Sequence, residues 1–135
     1  MKFMASRDPK DLNPELREIY YKVMDDCKVI GLDVHCCCTW RSVAEQMEMF
    51  NKGASKRKLG AHNCKDENGN PSSKAFDFYI INKFGKVTWS TTDDTNNDGH
   101  PDYIQVGEIG KKYGLEYGGD WPSLKDYDHL QLKGA

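Results

Sequence analysis

The stretch from Lys74 to Ile81, KAFDFYII, constrains this chain more than any other. Its aromatic and β-branched residues suit a buried strand. Yet Asp77 stands in its middle. A carboxylate there is costly to bury unless it is paired or binds a metal. Any fold for this chain must bury the strand and give Asp77 a partner.

The other elements can be read around that strand. Asn13-Pro14 is a helix start, because Asn caps well and Pro suits the first turn. Leu16, Ile19, Tyr20, Val23, Met24, Cys27 and Ile30 then recur at helical spacing up to Gly31, which stops the helix. Asp33 to Thr39 reads as a buried strand. Ser42 with Glu45 is a capping box for a second helix, which carries Val43, Met47 and Phe50 inward and ends near Gly53. Residues 53–74 form a long polar loop, the kind that is usually functional or mobile. A turn over 82–85 leads to a return strand at Val87–Trp89, which makes a hairpin. After a second polar loop over 90–102, Tyr103, Val106, Ile109 and Tyr113 mark a third helix, closed by Gly114. Leu115–Tyr117 and His129–Leu132 supply the last strands. The expectation is a single α+β domain over residues 1–135, with a small antiparallel sheet and about three helices packed on it.

Charge and hydropathy exclude some functions. Nineteen basic against 21 acidic residues leave a net charge of −2, so binding to nucleic acid through phosphate charge is not expected. No apolar run approaches a membrane span, so stable membrane insertion is not expected either. The start, MKFMASRDPKDL, has no apolar segment of the secretory kind. Five cysteines, an odd number, favour reduced thiols. Cys36, Cys37 and Cys38 are adjacent, and one strand cannot aim all three at one ion. They read as small core-filling residues.

Four histidines remain to be placed. His35, in the first strand, reads as a satisfied core histidine. His62 lies in the first polar loop, and His129 begins the last strand. With Asp77 they compose a ligand set used by catalytic zinc, which leaves a fourth position for water. Asp126, three residues before His129, is placed to accept a proton from that water. The plainer alternative is a set of solvated histidines and an Asp77 paired with some nearby cation. Trp40 and Trp121 line a substrate groove or simply pack. Separately, Asp94, Asn96 and Asp98 before Gly99 open like a calcium loop, with His100 and Asp102 at the next ligand positions. Gln105 stands where such a loop has its closing carboxylate, and the alternative is a polar Asx-rich turn.

The string YGGDWPSLKDYDHLQ, from Tyr117 to Gln131, resembles the closing motif of the M15 zinc peptidases. That family includes VanY-type carboxypeptidases and phage L-alanyl-D-glutamate endopeptidases. Thr39-Trp40-Arg41-Ser42 with Gln46 is similar to its aromatic-Arg-Ser segment. Ala61-His62-Asn63 and Ala75-Phe76-Asp77-Phe78 look like the two halves of its His…Asp signature. Two departures stand out. Gly60 replaces the usual Ser, and fifteen positions separate His62 from Asp77 where the family has seven. The extra stretch, within 65–74, reads as an inserted surface loop that changes the rim of the site.

The resemblance implies a zinc centre on the sheet held by His62, Asp77 and His129, with Asp126 as general base. Arg41 would steady the scissile carbonyl or a substrate carboxylate. Asp128 is the rival base, but in a strand it would point away from His129. Gln46 and Gln131 would serve as structural hydrogen-bonders. The function implied is a zinc peptidase cutting the L-Ala–D-Glu bond of the bacterial peptidoglycan stem peptide. The setting is a monomeric phage endolysin, held in the host cytoplasm until the membrane is breached. The alternatives are a D-Ala-D-Ala carboxypeptidase on the same scaffold and a non-catalytic calcium- or wall-binding module.

Overall fold

In the computed structural model, which describes residues 5–53 and 60–135, the first helix starts where the sequence sets it. Asn13 Oδ1 accepts from the Glu15 N–H at 3.0 Å, and Pro14 opens the first turn of α1 (Pro14–Val29). Gly31, at φ +83°, takes the left-handed turn that ends the helix. β1 (Asp33–Cys38) follows, then α2 (Val43–Asn51), whose Ser42 cap accepts from the Glu45 N–H at 3.1 Å. β2 (Ala75–Ile81) and β3 (Val87–Thr88) form the hairpin. α3 (Asp102–Lys112), β4 (Glu116–Tyr117) and β5 (His129–Gln131) complete the regular elements. The first polar loop contains a short 3₁₀ turn, Ala61–Asn63, and its residues 54–59 lie outside the described part of the chain.

The strands make one antiparallel sheet in the order β1-β2-β5-β4, with β3 also on β2. β2 is its centre. Phe76, Phe78 and Ile80 alternate onto one face and are fully buried there. They pack with Leu16, Tyr20 and Val23 of α1 and with Tyr103 and Val106 of α3. Each such side chain contributes roughly 1.5–3 kcal/mol of burial. The same alternation turns Asp77 to the opposite face. Asp77 pairs with His129 across the β2–β5 ladder, so His129 shares its face, and Gln131 follows two residues on. Leu130, between them, points into the core and is fully buried. One period-2 pattern thus builds both the core and the polar site.

Two expectations fail in this part of the chain. In α2, Val43 is 49% exposed, and the buried residues are Glu45 and Gln46. The helix turns polar side chains inward because Arg41 lies there to receive them. His35 is a surface residue: its ring is paired with Asp33 at 2.6 Å, 43% exposed and stacked on Tyr79. Alternation turns His35 to the face of β1 opposite Val34 and Cys36, which pack against the core.

Candidate metal centre

His62, Asp77 and His129 converge although they lie far apart in sequence. The fifteen-position gap between the first two is short-circuited. The Ser72 N–H donates to the Cys64 carbonyl and the Lys74 N–H to the Ala61 carbonyl, which zips the legs of the inserted loop together. The insertion closes with a Lys65–Pro71 bridge and is exposed from Lys65 to Asn70. None of its residues lines the cleft. The Ala61–Asn63 turn is fastened to the β1–α2 connection. The Arg41 N–H donates to the His62 carbonyl at 2.9 Å, and Asn63 Nδ2 donates to the Arg41 carbonyl at 2.8 Å.

Each imidazole is held by one nitrogen and presents the other. His62 Nδ1–H donates to the Thr39 carbonyl at 2.8 Å, leaving Nε2 buried and without a hydrogen-bond partner, 3.2 Å from Asp77 Oδ1. His129 Nε2–H donates to Gln131 Oε1 at 2.8 Å, while Nδ1 lies 2.9 Å from the same Asp77 oxygen. Gln131 is oriented in turn, its amide donating to Glu116 Oε2 at 3.2 Å. Outer acceptors that fix the tautomer of a ligating histidine are what a metal site requires. His62 Nε2 and His129 Nδ1 flank one Asp77 oxygen, and the donor atoms that lie within 4.8 Å of one another form two overlapping groups, Cys38 with His62 and Asp77, and Asp77 with Asp126 and His129. Imidazole nitrogens beside a carboxylate, one of them buried and orphaned, suit a cation such as zinc.

The charges tell the same story. Burial pushes the Asp77 carboxyl up, but His62 and His129 outweigh it and hold it below the usual carboxylate range. Burial pulls His62 down, yet Asp77 and Cys38 leave it well above its ordinary 6.5.

Asp126 Oδ2 stands 3.8 Å from His129 Nδ1, and its side chain is 44% exposed, open to the cleft. Gly118 fixes its place. The Asp126 N–H donates to the Gly118 carbonyl at 3.0 Å, and a Cβ on Gly118 would come within 2.3 Å of the Asp126 carbonyl oxygen. Asp128 corrects the sequence reading. It precedes β5 in a turn, so strand alternation does not send it away, and it lines the same cleft. Burial, a hydrogen bond to Asp126 and the charges of Asp77 and Asp126 push its carboxyl up to about 9. That shift favours the proton-bearing form, which hydrogen-bonds Asp126.

Around these groups lies a cleft of about 560 Å³. Arg41 and Glu45 lie on one wall, Trp121 and Leu124 on another. Arg41 Nη1 donates to Gln46 Oε1 at 2.8 Å, and its Nε lies 3.7 Å from Glu45 Oε1 with no hydrogen-bond partner. Gln46 and Gln131 thus act as hydrogen-bonders to Arg41 and His129. Trp121 packs near His129, with ring centroids 5.2 Å apart. Trp40 does not line the cleft, and its Nε1 donates to the Cys64 carbonyl at 3.1 Å.

Two of the three adjacent cysteines depart from the expected core filling. A bulge between Cys36 and Cys38 breaks the alternation, so Cys37 and Cys38 both reach the cleft while Cys36 packs against the core. Cys38 Sγ lies 3.7 Å from His62 Nδ1 and 3.5 Å from Arg41 Nη2. Together with His62 and Asp77, its thiol offers donor atoms within 4.8 Å of one another. Three adjacent Cys codons in a sequence do not reveal a bulge. The loop residues Asp94, Asn96, Asp98 and His100, and Asp102 at the start of α3, are absent from the cleft lining.

Two imidazoles and a carboxylate open to a cleft are the donor set of a mononuclear metallohydrolase. Residues 72–132 match the M15 peptidase family described as D-alanyl-D-alanine carboxypeptidase. The peptidoglycan L-alanyl-D-glutamate endopeptidase CwlK of Bacillus subtilis (strain 168) is 32% identical over 125 residues, 92% of this chain and 75% of CwlK. The crystal structure of the Serratia marcescens L-Ala D-Glu endopeptidase ChiX superposes with a TM-score of 0.65 at 22% identity, covering 96% of this chain and 88% of ChiX. The LD-carboxypeptidase LdcB superposes with a TM-score of 0.56 at 16% identity, covering 90% of this chain and 58% of LdcB. These two likenesses establish the shared fold. The chain belongs to the M15 peptidase family.

Proposed function

We propose that this protein is a zinc-dependent peptidoglycan peptidase that hydrolyses the L-Ala–D-Glu bond of stem peptides. One observation carries the reading: His62 Nε2 and His129 Nδ1, each freed by an outer hydrogen bond, face one oxygen of Asp77 beneath an open cleft. The similarity to CwlK across nearly the whole chain supports the choice of bond. His62, Asp77 and His129 would hold a zinc ion, which would supply Lewis acidity and bring the pKa of bound water toward neutrality. The Asp126 carboxylate accepts the proton of the attacking water and returns it to the leaving amine. Asp128 holds Asp126 in place through their shared hydrogen bond. Arg41, with its Nε unsatisfied and its fork braced by Gln46, grips the scissile carbonyl or a substrate carboxylate.

Digestion of purified peptidoglycan, with new termini read by mass spectrometry, tests the bond. New N-terminal D-Glu or isoglutamine is expected. Release of free D-Ala would instead favour a D-Ala-D-Ala carboxypeptidase, the reading that the description of the matched family favours. A zinc-free protein that still sediments with walls would favour a binding module.

The biological role we propose is that of a phage endolysin, a monomer that waits in the host cytoplasm. Cells expressing it should grow normally until chloroform opens the inner membrane, and then clear. Clearing that needs no membrane breach, or none after it, would contradict this role.

A further inference from the structure

Two non-glycine residues among the described ones hold a left-handed backbone, Asn97 at φ +57° and Leu124 at φ +52°. Asparagine visits that conformation routinely, because its short amide can hydrogen-bond locally. Leucine does not, because its Cβ comes too close to the following carbonyl oxygen. A residue strained in this way persists only where its surroundings over-determine it, and such residues cluster at active sites and ligand clamps.

The chain pins Leu124 from both sides. Upstream, the Trp121 N–H donates to the Gly118 carbonyl at 3.3 Å, and Pro122 fixes the next φ. Downstream, the Asp126 N–H donates to that same carbonyl at 3.0 Å, and Lys125 Nζ donates to the Gly119 carbonyl at 3.1 Å. Both ends of the loop are thus tied to the GGDW turn, and the left-handed step at Leu124 brings the chain back. The step also sets out an apolar side chain. Leu124 is 48% exposed and lines the cleft beside Trp121. A side chain so exposed gains little from burial in the free protein. Neither backbone preference nor packing favours leucine here, whereas contact with a bound molecule does.

We infer that Leu124 is a specificity-determining residue that packs, with Trp121, on the apolar side chain at the acyl side of the scissile bond. This rests on the L-Ala–D-Glu reading above. Arg41 and Glu45 stand on one wall of the cleft, Trp121 and Leu124 on another. The bond has the matching asymmetry, with a methyl group on its acyl side and a carboxylate on its amine side. The apolar wall takes the methyl, and Arg41, whose Nε has no hydrogen-bond partner, takes the carboxylate. Seating the methyl on Leu124 removes apolar surface of both from water. A peptide with glycine in place of L-Ala forgoes that contact and should be cut about 10-fold less efficiently, the lower end of what one such group is worth in an apolar pocket.

The test compares two stem peptides that differ only in L-Ala or Gly at the first position. They are given to the zinc-loaded native protein and to Leu124→Ala, Leu124→Gly and Leu124→Met, with kcat/KM for each peptide and Tm for each protein. The native enzyme should favour L-Ala by about 10-fold. Leu124→Ala and Leu124→Gly should bring the ratio near one, and Leu124→Met, which keeps the apolar reach, should preserve it. A purely structural role would slow both peptides alike and leave the ratio unmoved. Leu124→Gly should also melt above Leu124→Ala, since both remove the leucine side chain and only glycine relieves the backbone. A native ratio near one, or a ratio unchanged in both truncations, overturns the assignment and leaves the peptidase reading standing. Leu124→Gly melting below Leu124→Ala would overturn the strain on which the assignment rests. Failure of the native enzyme to cut the L-Ala peptide at that bond would overturn both readings together.

Discussion

At the scale of single residues, the centre works by division of labour within each ring. His129 is held through Nε2 by Gln131 and offers Nδ1; His62 is held through Nδ1 by Thr39 and offers Nε2. Replacing Gln131 with Leu removes the acceptor that sets the His129 tautomer. Zinc affinity should then fall about 10–100-fold in chelator competition, and an unchanged affinity would contradict the role of Gln131. Asp126→Ala should keep the metal and lose about 10²–10⁴-fold in hydrolysis, since Asp126 is placed to move protons. The pH dependence follows from His62. Its pKa in the folded, metal-free protein lies well above 6.5, so its pairing with Asp77 stabilises that form fully below 6.5 and is lost as pH rises through the raised value. Zinc must displace that proton. The Tm difference between zinc-loaded and stripped protein should therefore widen from pH 6 to pH 8. A gap that narrows over this range would contradict the protonated His62. His129 and Asp77 were legible as candidates in the sequence, because a carboxylate inside an apolar strand demands a partner. The place of Asp128 was not, because the turn before β5, and not strand alternation, directs its side chain.

At the scale of elements, local signals and long-range ones behaved differently. The Asn13 and Ser42 caps, the stops at Gly31 and Gly114, and the alternation in β2 rest on neighbouring residues, so the sequence displays them. The inward face of α2 is set by Arg41, and the turn of Cys37 and Cys38 toward the cleft by a bulge in pairing with β2. Neither has a periodic signature. The GGDW segment shows how an element positions chemistry. Gly118 leaves room for the Asp126 backbone, and the Gly118→Ala methyl would meet the Asp126 carbonyl at 2.3 Å. That substitution should cost about 1–3 kcal/mol in stability and lower hydrolysis while zinc still binds. Thermal unfolding and a zinc-saturated assay would measure both effects, and full activity would show that the turn can shift without moving the base.

At the scale of the whole molecule, one sheet separates two environments. Its helix-covered face holds the apolar core, and its other face gathers groups from the first polar loop, β2, β5 and the segment between β4 and β5. On the proposed reading, the near-neutral net charge would leave substrate capture to the cleft and the proposed zinc rather than to attraction by an anionic wall. Everything proposed for the chemistry depends on a metal held by His62, Asp77 and His129. The most direct measurement is zinc titration of chelator-stripped protein, following metal content and peptidoglycan hydrolysis together in the native chain and in His129→Ala. The account predicts one zinc per chain and hydrolysis that returns in step with it, with neither recovered by His129→Ala. Hydrolysis by the stripped protein at the full rate, or zinc bound equally well by His129→Ala, would contradict it.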